Sequence, residues 1–332
     1  MEKYENLTRS GRLHRLRKLA ENALSQYPLN QPCLRFYLSA GNTLYTVFDS
    51  QPHSVRINTD LFVPGKYLLR IYQPDWQSEE AISLELAWLS AMRREADLPV
   101  PEPIATHDGR LLTTLNLPGS SETRTCSLLR WVKGRLLPEF GHPKHYRAQG
   151  RLMAEIHNLT QGWTLPVSHE KRHYDWNGLF MNDAEIGLPP GKSWEYLPPA
   201  WIKPFENVTQ HFRQLIDRWG ISPKVYGLIH ADMGLDANLL FWHGQPRLID
   251  FDGSGFGYWM YDLAVALAHL VGRPNYDRMR DALFEGYTSR RSLPAAPGPC
   301  PGFQENRRYA PCSGIAMAHG QAGSRKIWPS FL

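Results

Sequence analysis

Between positions 230 and 238 the chain crowds together His230, Asp232, Asp236 and Asn238, and a little further on Asp250 and Asp252 flank Phe251. The apolar run before His230 predicts a strand that feeds a loop. NLLFW and RLIDFD, on either side of His243-Gly244, predict a hairpin. If its second strand stays regular, Leu248, Asp250 and Asp252 share one face. Two carboxylates at a strand end, with an amide and an aspartate from the preceding loop, form a hard oxygen-ligand set. Mg²⁺ takes few such ligands from protein and completes its shell with water and phosphate. Asp232 is placed to orient a hydroxyl nucleophile. An aspartate near the attacking oxygen and a divalent ion on the phosphates are what phosphoryl transfer needs.

The elements that must position these residues can be read from periodicity. Leu7 to Tyr27 has apolar residues at helical spacing. Short β-rich runs follow at Cys33–Leu38, Thr43–Phe48 and Lys66–Tyr72, with Gly41-Asn42 as a turn between the first two. Ser78 to Arg94 predicts a helix with Ser78 as N-cap. Leu98–Pro103 breaks it, and strands are expected near Leu111–Leu115 and Thr125–Val132, the latter ended by Lys133-Gly134. Helical text resumes at Tyr146–Leu159, interrupted from Trp176 to Pro204 by Pro, Gly and Trp. Strands first and helices later predict an α+β chain with two lobes meeting near Val132–Arg135.

Composition narrows the class. The 332 residues are 42% hydrophobic and 21% charged, which fits a globular chain and excludes wholesale disorder. The most apolar run, Tyr258–Val271, contains Asp262 and His269 and is too short and too charged to span a bilayer. The N-terminal text predicts no signal peptide. Cys33, Cys126, Cys300 and Cys312 form no C-x-x-C pair, as expected of a reduced, cytoplasmic protein. The formal charge of +5 equals the excess of six bases over one acid in residues 290–332, so residues 1–289 are neutral. A nucleic-acid reading of the whole chain loses its support, and no nucleic-acid or membrane partner is expected. That last segment is rich in Pro, Gly and Arg and is expected to be a disordered tail. The helical pattern of Asp277–Tyr287 stops abruptly there, as a reading-frame shift would cause; sequencing the coding DNA decides this.

The motifs resemble those of the aminoglycoside phosphotransferase and choline kinase family, whose fold is similar to that of protein kinases. His230-Ala231-Asp232, Asn238 and Asp250-Phe251-Asp252 resemble its catalytic loop and metal motif, and Tyr261-Asp262-Leu263-Ala264 its brace for that loop. Arg130–Gly134 resembles the hinge between lobes, and Arg147–Thr160 the helix after it. Leu68–Ile71 resembles the strand that carries a phosphate-binding cation, with Glu85 where the family places a paired glutamate. Two departures stand out. Asn238 lies six residues after Asp232 rather than five, so Asp236 could share its role. The usual lysine is Arg70, with Lys66 on the same strand face as a fallback.

The resemblance implies a two-lobed protein-kinase-like fold: a small antiparallel-sheet N-lobe (residues 1–132), a mainly helical C-lobe (133–289) and the tail (290–332). It implies ATP and Mg²⁺ as cofactors, bound between the lobes. Asp232 is the expected catalytic residue and Asn238 and Asp250 the metal ligands. Arg70, Glu85, Asn42, Trp131 and Val132 are expected at the nucleotide. The acceptor is expected to be a small hydroxyl-bearing molecule such as an amino sugar or amino alcohol, received near Trp163, Tyr174, Asp175, Trp176, Asp183 and Glu185. A non-catalytic nucleotide-binding pseudokinase and a protein Ser/Thr kinase are the alternatives. Three decoys carry less. Gly253–Gly257 lacks dinucleotide-binding spacing. Gly187–Ser193 is one residue short of a Walker A loop and holds two prolines that cannot donate to phosphate. The histidines at 142, 145, 157, 169 and 173 lack zinc spacing.

Overall fold

The computed structural model describes residues 4–51, 57–74, 76–137, 141–166, 171–180, 198–235, 237–268, 270–271 and 273–294. Among them the chain divides into two compact units: Met1–Gly134 with Leu165–Glu170, and Arg135–Thr164 with Lys171–Leu332.

The first unit is built on a sheet. Strands β1 (Pro32–Ala40), β2 (Asn42–Asp49), β3 (Phe62–Ile71), β4 (Pro103–Ile104), β5 (Leu112–Asn116) and β6 (Thr123–Val132) run in the order β1-β2-β3-β6-β4, with β5 also on β6. The pairings are antiparallel. Helix α1 (Arg9–Leu24) is capped by the Thr8 hydroxyl, which accepts the Gly11 N–H at 3.2 Å. Its Leu16, Leu19, Ala20 and Ala23 pack on Tyr45, Val47, Leu69, Ile71 and Leu128. Leu69 and Ile71 face α1, so Arg70, alternating with them, faces the other way. Helix α2 (Glu79–Ala96) begins as expected at Ser78, whose side chain accepts the Ala81 N–H at 3.1 Å.

The second unit is mainly helical. Helix α3 (Pro143–Gly162) packs along α7 (Tyr276–Thr288). Gly150 of α3 and Gly286 of α7 make this packing close: a Cβ on either would fall 2.1 Å from the Leu283 carbonyl oxygen and 1.9 Å from that of Arg147, respectively. Helices α4 (Trp176–Phe180) and α5 (Pro199–Trp219) occupy the two ends of the stretch expected to break helical text, and Pro204 lies inside α5. Helix α6 (Trp259–Ala268) is buried from Trp259 to Leu267. Strands β7 (His173–Tyr174), β8 (Tyr226–Ile229) and β11 (Gly255–Tyr258) form a small sheet in the order β7-β11-β8, and β9 (Leu239–Trp242) pairs with β10 (Gln245–Leu248).

Two expectations are corrected here. The hairpin forms about His243 and Gly244, both at positive φ, but its second strand stops at Leu248. Asp250 takes φ 65°, so regular alternation does not carry Leu248, Asp250 and Asp252 onto one face. The Gly-rich Gly253–Gly257 stretch contributes a strand. Its Gly255 admits β7 closely, since a Cβ there would meet the Arg172 carbonyl oxygen at 2.4 Å.

The first residues of the expected tail, Arg290 and Arg291, bind α3. Arg290 approaches Glu155 at 3.3 Å, and Arg291 donates to Asn158 at 2.8 Å and Gln161 at 2.7 Å. The remainder from residue 295, like Asp236, Asp183, Glu185 and the Walker-like Gly187–Ser193, lies outside the described residues. Among the described residues no helix is long and apolar enough to cross a membrane. Cys33 and Cys126 are free thiols, and burial pushes the Cys126 thiol up to about 12.

Candidate active site

In the second unit the loop from His230 to Asn238 is held from below by one carboxylate. Asp262, fully buried on α6, accepts the backbone N–H of His230 at 3.2 Å and of Ala231 at 2.7 Å. Its third donor is His157 Nε2 at 3.1 Å. Three donors offset the cost of burying the charge. They also hold Ala231 at φ 66°, a conformation that costs a non-glycine residue about 1–2 kcal/mol. His157 sits on α3, and its Nδ1 pairs with the Tyr287 hydroxyl of α7 at 3.0 Å. Burial pulls the His157 pKa down, against the pull of Asp262 in the other direction. Its ring is therefore neutral at pH 7: Nε2–H donates to Asp262, and Nδ1 accepts from Tyr287. A further tie comes from Gln149 on α3, which donates to the Met233 carbonyl at 2.7 Å.

His230 is fully buried. Its Nδ1 lies 3.2 Å from the Asp232 backbone nitrogen, so it accepts that N–H. The ring proton then resides on Nε2, which donates to the Ile249 carbonyl at 3.1 Å. One imidazole thus fixes the backbone of Asp232 and of the residue before Asp250. Phe251 packs edge-on against the same ring at 4.6 Å. Asn238 closes the cluster. Its Nδ2 donates to the Asp232 carboxylate at 2.8 Å and to the Asp232 carbonyl at 2.9 Å, while its own carbonyl accepts the Ile249 N–H at 2.9 Å. The extra residue in the loop therefore does not separate Asn238 from Asp232.

Asn238 is buried, while Asp232 and Asp250 are exposed. The amide's Oδ1 lies outside both of those bonds. That oxygen and the Asp250 carboxylate are a hard, oxygen-only donor pair of low number, the kind Mg²⁺ accepts. Among the described residues no group of three or more His, Cys, Asp or Glu side chains is placed to hold a metal ion.

In the first unit Arg70 and Glu85 meet. Arg70 Nη1 donates to Glu85 Oε1 at 3.1 Å, with the side chains 4% and 0% exposed. Tyr72 and Ser127 share a 3.0 Å hydroxyl contact beside them. Lys66 takes a different position, with its ammonium 3.7 Å above the Trp131 ring and 5.5 Å from that of Phe48. Asn42 stands at the hairpin turn and accepts the Gln73 N–H at 3.0 Å. Val132 is buried at the end of β6, paired with Phe62.

Of the expected acceptor residues, Trp163 and Asp175 are half-buried, and the Asp175 carboxylate accepts the Gly178 N–H at 3.0 Å. Tyr174 is buried and donates to the Gly253 carbonyl, and Trp176 packs against Phe180 at 4.8 Å and under Arg213. Sequence reading missed Gln149, Tyr287 and Lys171, whose buried ammonium binds Ser254 Oγ at 2.6 Å. For Gln149 a signal existed: it shares with His157 the buried, otherwise largely apolar face of α3. For Lys171, contacts across eighty residues leave no local trace.

The model of the phosphotransferase enzyme family (APH) matches residues 52–299. The chain belongs to this family. Among characterised relatives, amicoumacin kinase from Bacillus subtilis (strain 168) is 24% identical over 263 residues, covering 79% of this chain and 70% of the relative. A homoserine kinase from Sinorhizobium fredii is 26% identical over 243 residues, covering 70% of this chain and 66% of the relative. The chain thus spans about two thirds of the length of these relatives. Among solved structures, a microcompartment-associated aminopropanol kinase superposes with a TM-score of 0.71 at 25% identity, over 92% of this chain and 87% of that one. The expected α+β kinase-like fold and the phosphotransferase class are both met by this family membership.

Proposed function

We propose that the protein transfers the γ-phosphate of ATP to a hydroxyl of a small, amine-bearing molecule. The observation that carries this is the Asp232–Asn238 bond, fixed by His230 to the backbone beside Asp250. An exposed carboxylate aimed by a buried amide is suited to orient a hydroxyl and receive its proton. Asn238 Oδ1 and Asp250 would hold Mg²⁺, which when bound neutralises phosphate charge. Arg70, held by Glu85, would contact the α- and β-phosphates, and Asn42, Trp131 and Val132 would lie along the nucleotide. Catalysis is then positioning and charge neutralisation with no covalent intermediate on the protein.

The acceptor class draws on the relatives. Homoserine and aminopropanol each join an amine to a hydroxyl. A cytoplasmic location fits such a metabolite kinase. The pseudokinase alternative draws on the Arg70 substitution, but the buried pairing of Arg70 with Glu85 favours a retained phosphate-binding cation.

The test is ³²P transfer from labelled ATP across a panel of amino alcohols, amino sugars and hydroxy amino acids. Asp232→Ala is expected to lower kcat by about 10²-fold or more at an unchanged melting temperature. Turnover by the variant at the wild-type rate, or Mg·ATP binding without turnover on any acceptor, would remove the proposal.

A further inference from the structure

The α1-covered face of the sheet, opposite Arg70, holds a cavity of about 440 Å³, within the usual size of small-molecule sites. Its charge is one-sided. Arg9 and Arg12 reach it from the first turn of α1 and Arg124 from the start of β6, against a single carboxylate, Glu122. Arg124 is 6% exposed and already takes that carboxylate, with Nη2 2.6 Å from Glu122 Oε2 and its guanidinium over the Tyr4 ring. Arg9 and Arg12 have no ion-pair partner among the described side chains. They stand, moreover, where the helix dipole disfavours cations, in a first turn that contains no acid. Ser39 and Thr43 add two hydroxyls 3.0 Å apart, and Leu13, Leu16 and Ile71 supply apolar wall.

We propose that this cavity binds a small multivalent oxyanion, a phosphate ester or polycarboxylate, whose charge Arg9 and Arg12 take and whose carbon skeleton lies on the leucines. None of the nucleotide residues assigned above lines it. Gly41 and Gln73 line the cavity and flank or bind Asn42, so an occupant lies beside a residue proposed along the nucleotide. That last consequence rests on the proposed function; the binding itself does not.

Calorimetric titration of the full chain with inorganic pyrophosphate and with citrate, in Mg²⁺-free buffer, tests it. Saturable binding of at least one probe is expected, weakened about tenfold or more by Arg9→Ala with Arg12→Ala and unaffected by Lys18→Ala. Both arginines are exposed, so the double variant should fold; Arg12→Glu alone serves as the second variant. Pyrophosphate and citrate together distinguish a phosphate from a carboxylate ligand. Binding must also persist beside saturating non-hydrolysable ATP analogue. The absence of saturable binding of both probes, unchanged affinity in the arginine variants, or full displacement by the analogue each overturns the site.

Discussion

At the scale of single residues, the decisive groups are those with charge and few ways to hide it. Arg70 and Glu85 are buried together, so each is costly without the other. Arg70→Ala should lower unfolding free energy by on the order of 3–5 kcal/mol. Replacing both, as Arg70→Met with Glu85→Leu, should restore most of that while leaving ATP affinity poor. Urea denaturation beside nucleotide titration separates the two effects; a double variant no more stable than the single one would contradict the pairing argument. Asp262→Ala should strand two buried backbone N–H groups at His230 and Ala231, costing on the order of 3 kcal/mol and releasing Ala231 from its left-handed conformation. The chemistry-bearing types were legible because they cluster within the stretch from His230 to Asp262. Their partners were less so. Gln149 and His157 looked like ordinary members of a helix, and Lys66, a cation on the right strand face, turned out to cover an aromatic ring.

Between elements, α3 and α7 carry the His230–Asn238 loop indirectly, through His157, Gln149 and Tyr287. Their close approach depends on Gly150 and Gly286. Gly150→Val must push a backbone apart and should destabilise the fold by about 3 kcal/mol, read as a lowered denaturation midpoint. His157 adds a pH dependence. Burial lowers its folded pKa, whereas the unfolded residue titrates near about 6.5. Below that pH the unfolded chain binds the extra proton, so stability is complete at neutral pH and falls as the solution is acidified through the window beneath 6.5. His145 and His211 shift in the same direction, also chiefly through burial. Melting temperatures between pH 5 and 8 should fall toward acid, with a shallower slope in His157→Gln; equal slopes would assign the effect to the other two. Helices and strands of regular period were legible within a few residues. The end of β10 was not, because the turn at Asp250 is imposed by what the neighbouring loop binds at Ile249.

For the whole molecule, the proposed nucleotide binding has a thermodynamic signature. Saturating Mg·ATP at about a hundredfold over Kd should stabilise the protein by about 2.7 kcal/mol, and chelating the metal with EDTA should remove most of that gain. Thermal shift measures both, and an ATP effect indifferent to EDTA would argue against Asn238 and Asp250 as metal ligands. The amino-acid sequence by itself determined the class of chemistry, the order of strands and helices and the identity of the loop acids, since these depend on residue type and on periods of two and 3.6 that neighbours in the chain carry. The Arg70–Glu85 pair was expected from the family resemblance, whereas only the tertiary structure decided that Asn238 reaches Asp232 despite the longer loop and that Arg9 and Arg12 share a cavity with Arg124. Those pairings join residues through space, where burial and hydrogen-bond geometry act, and local sequence bears no mark of them.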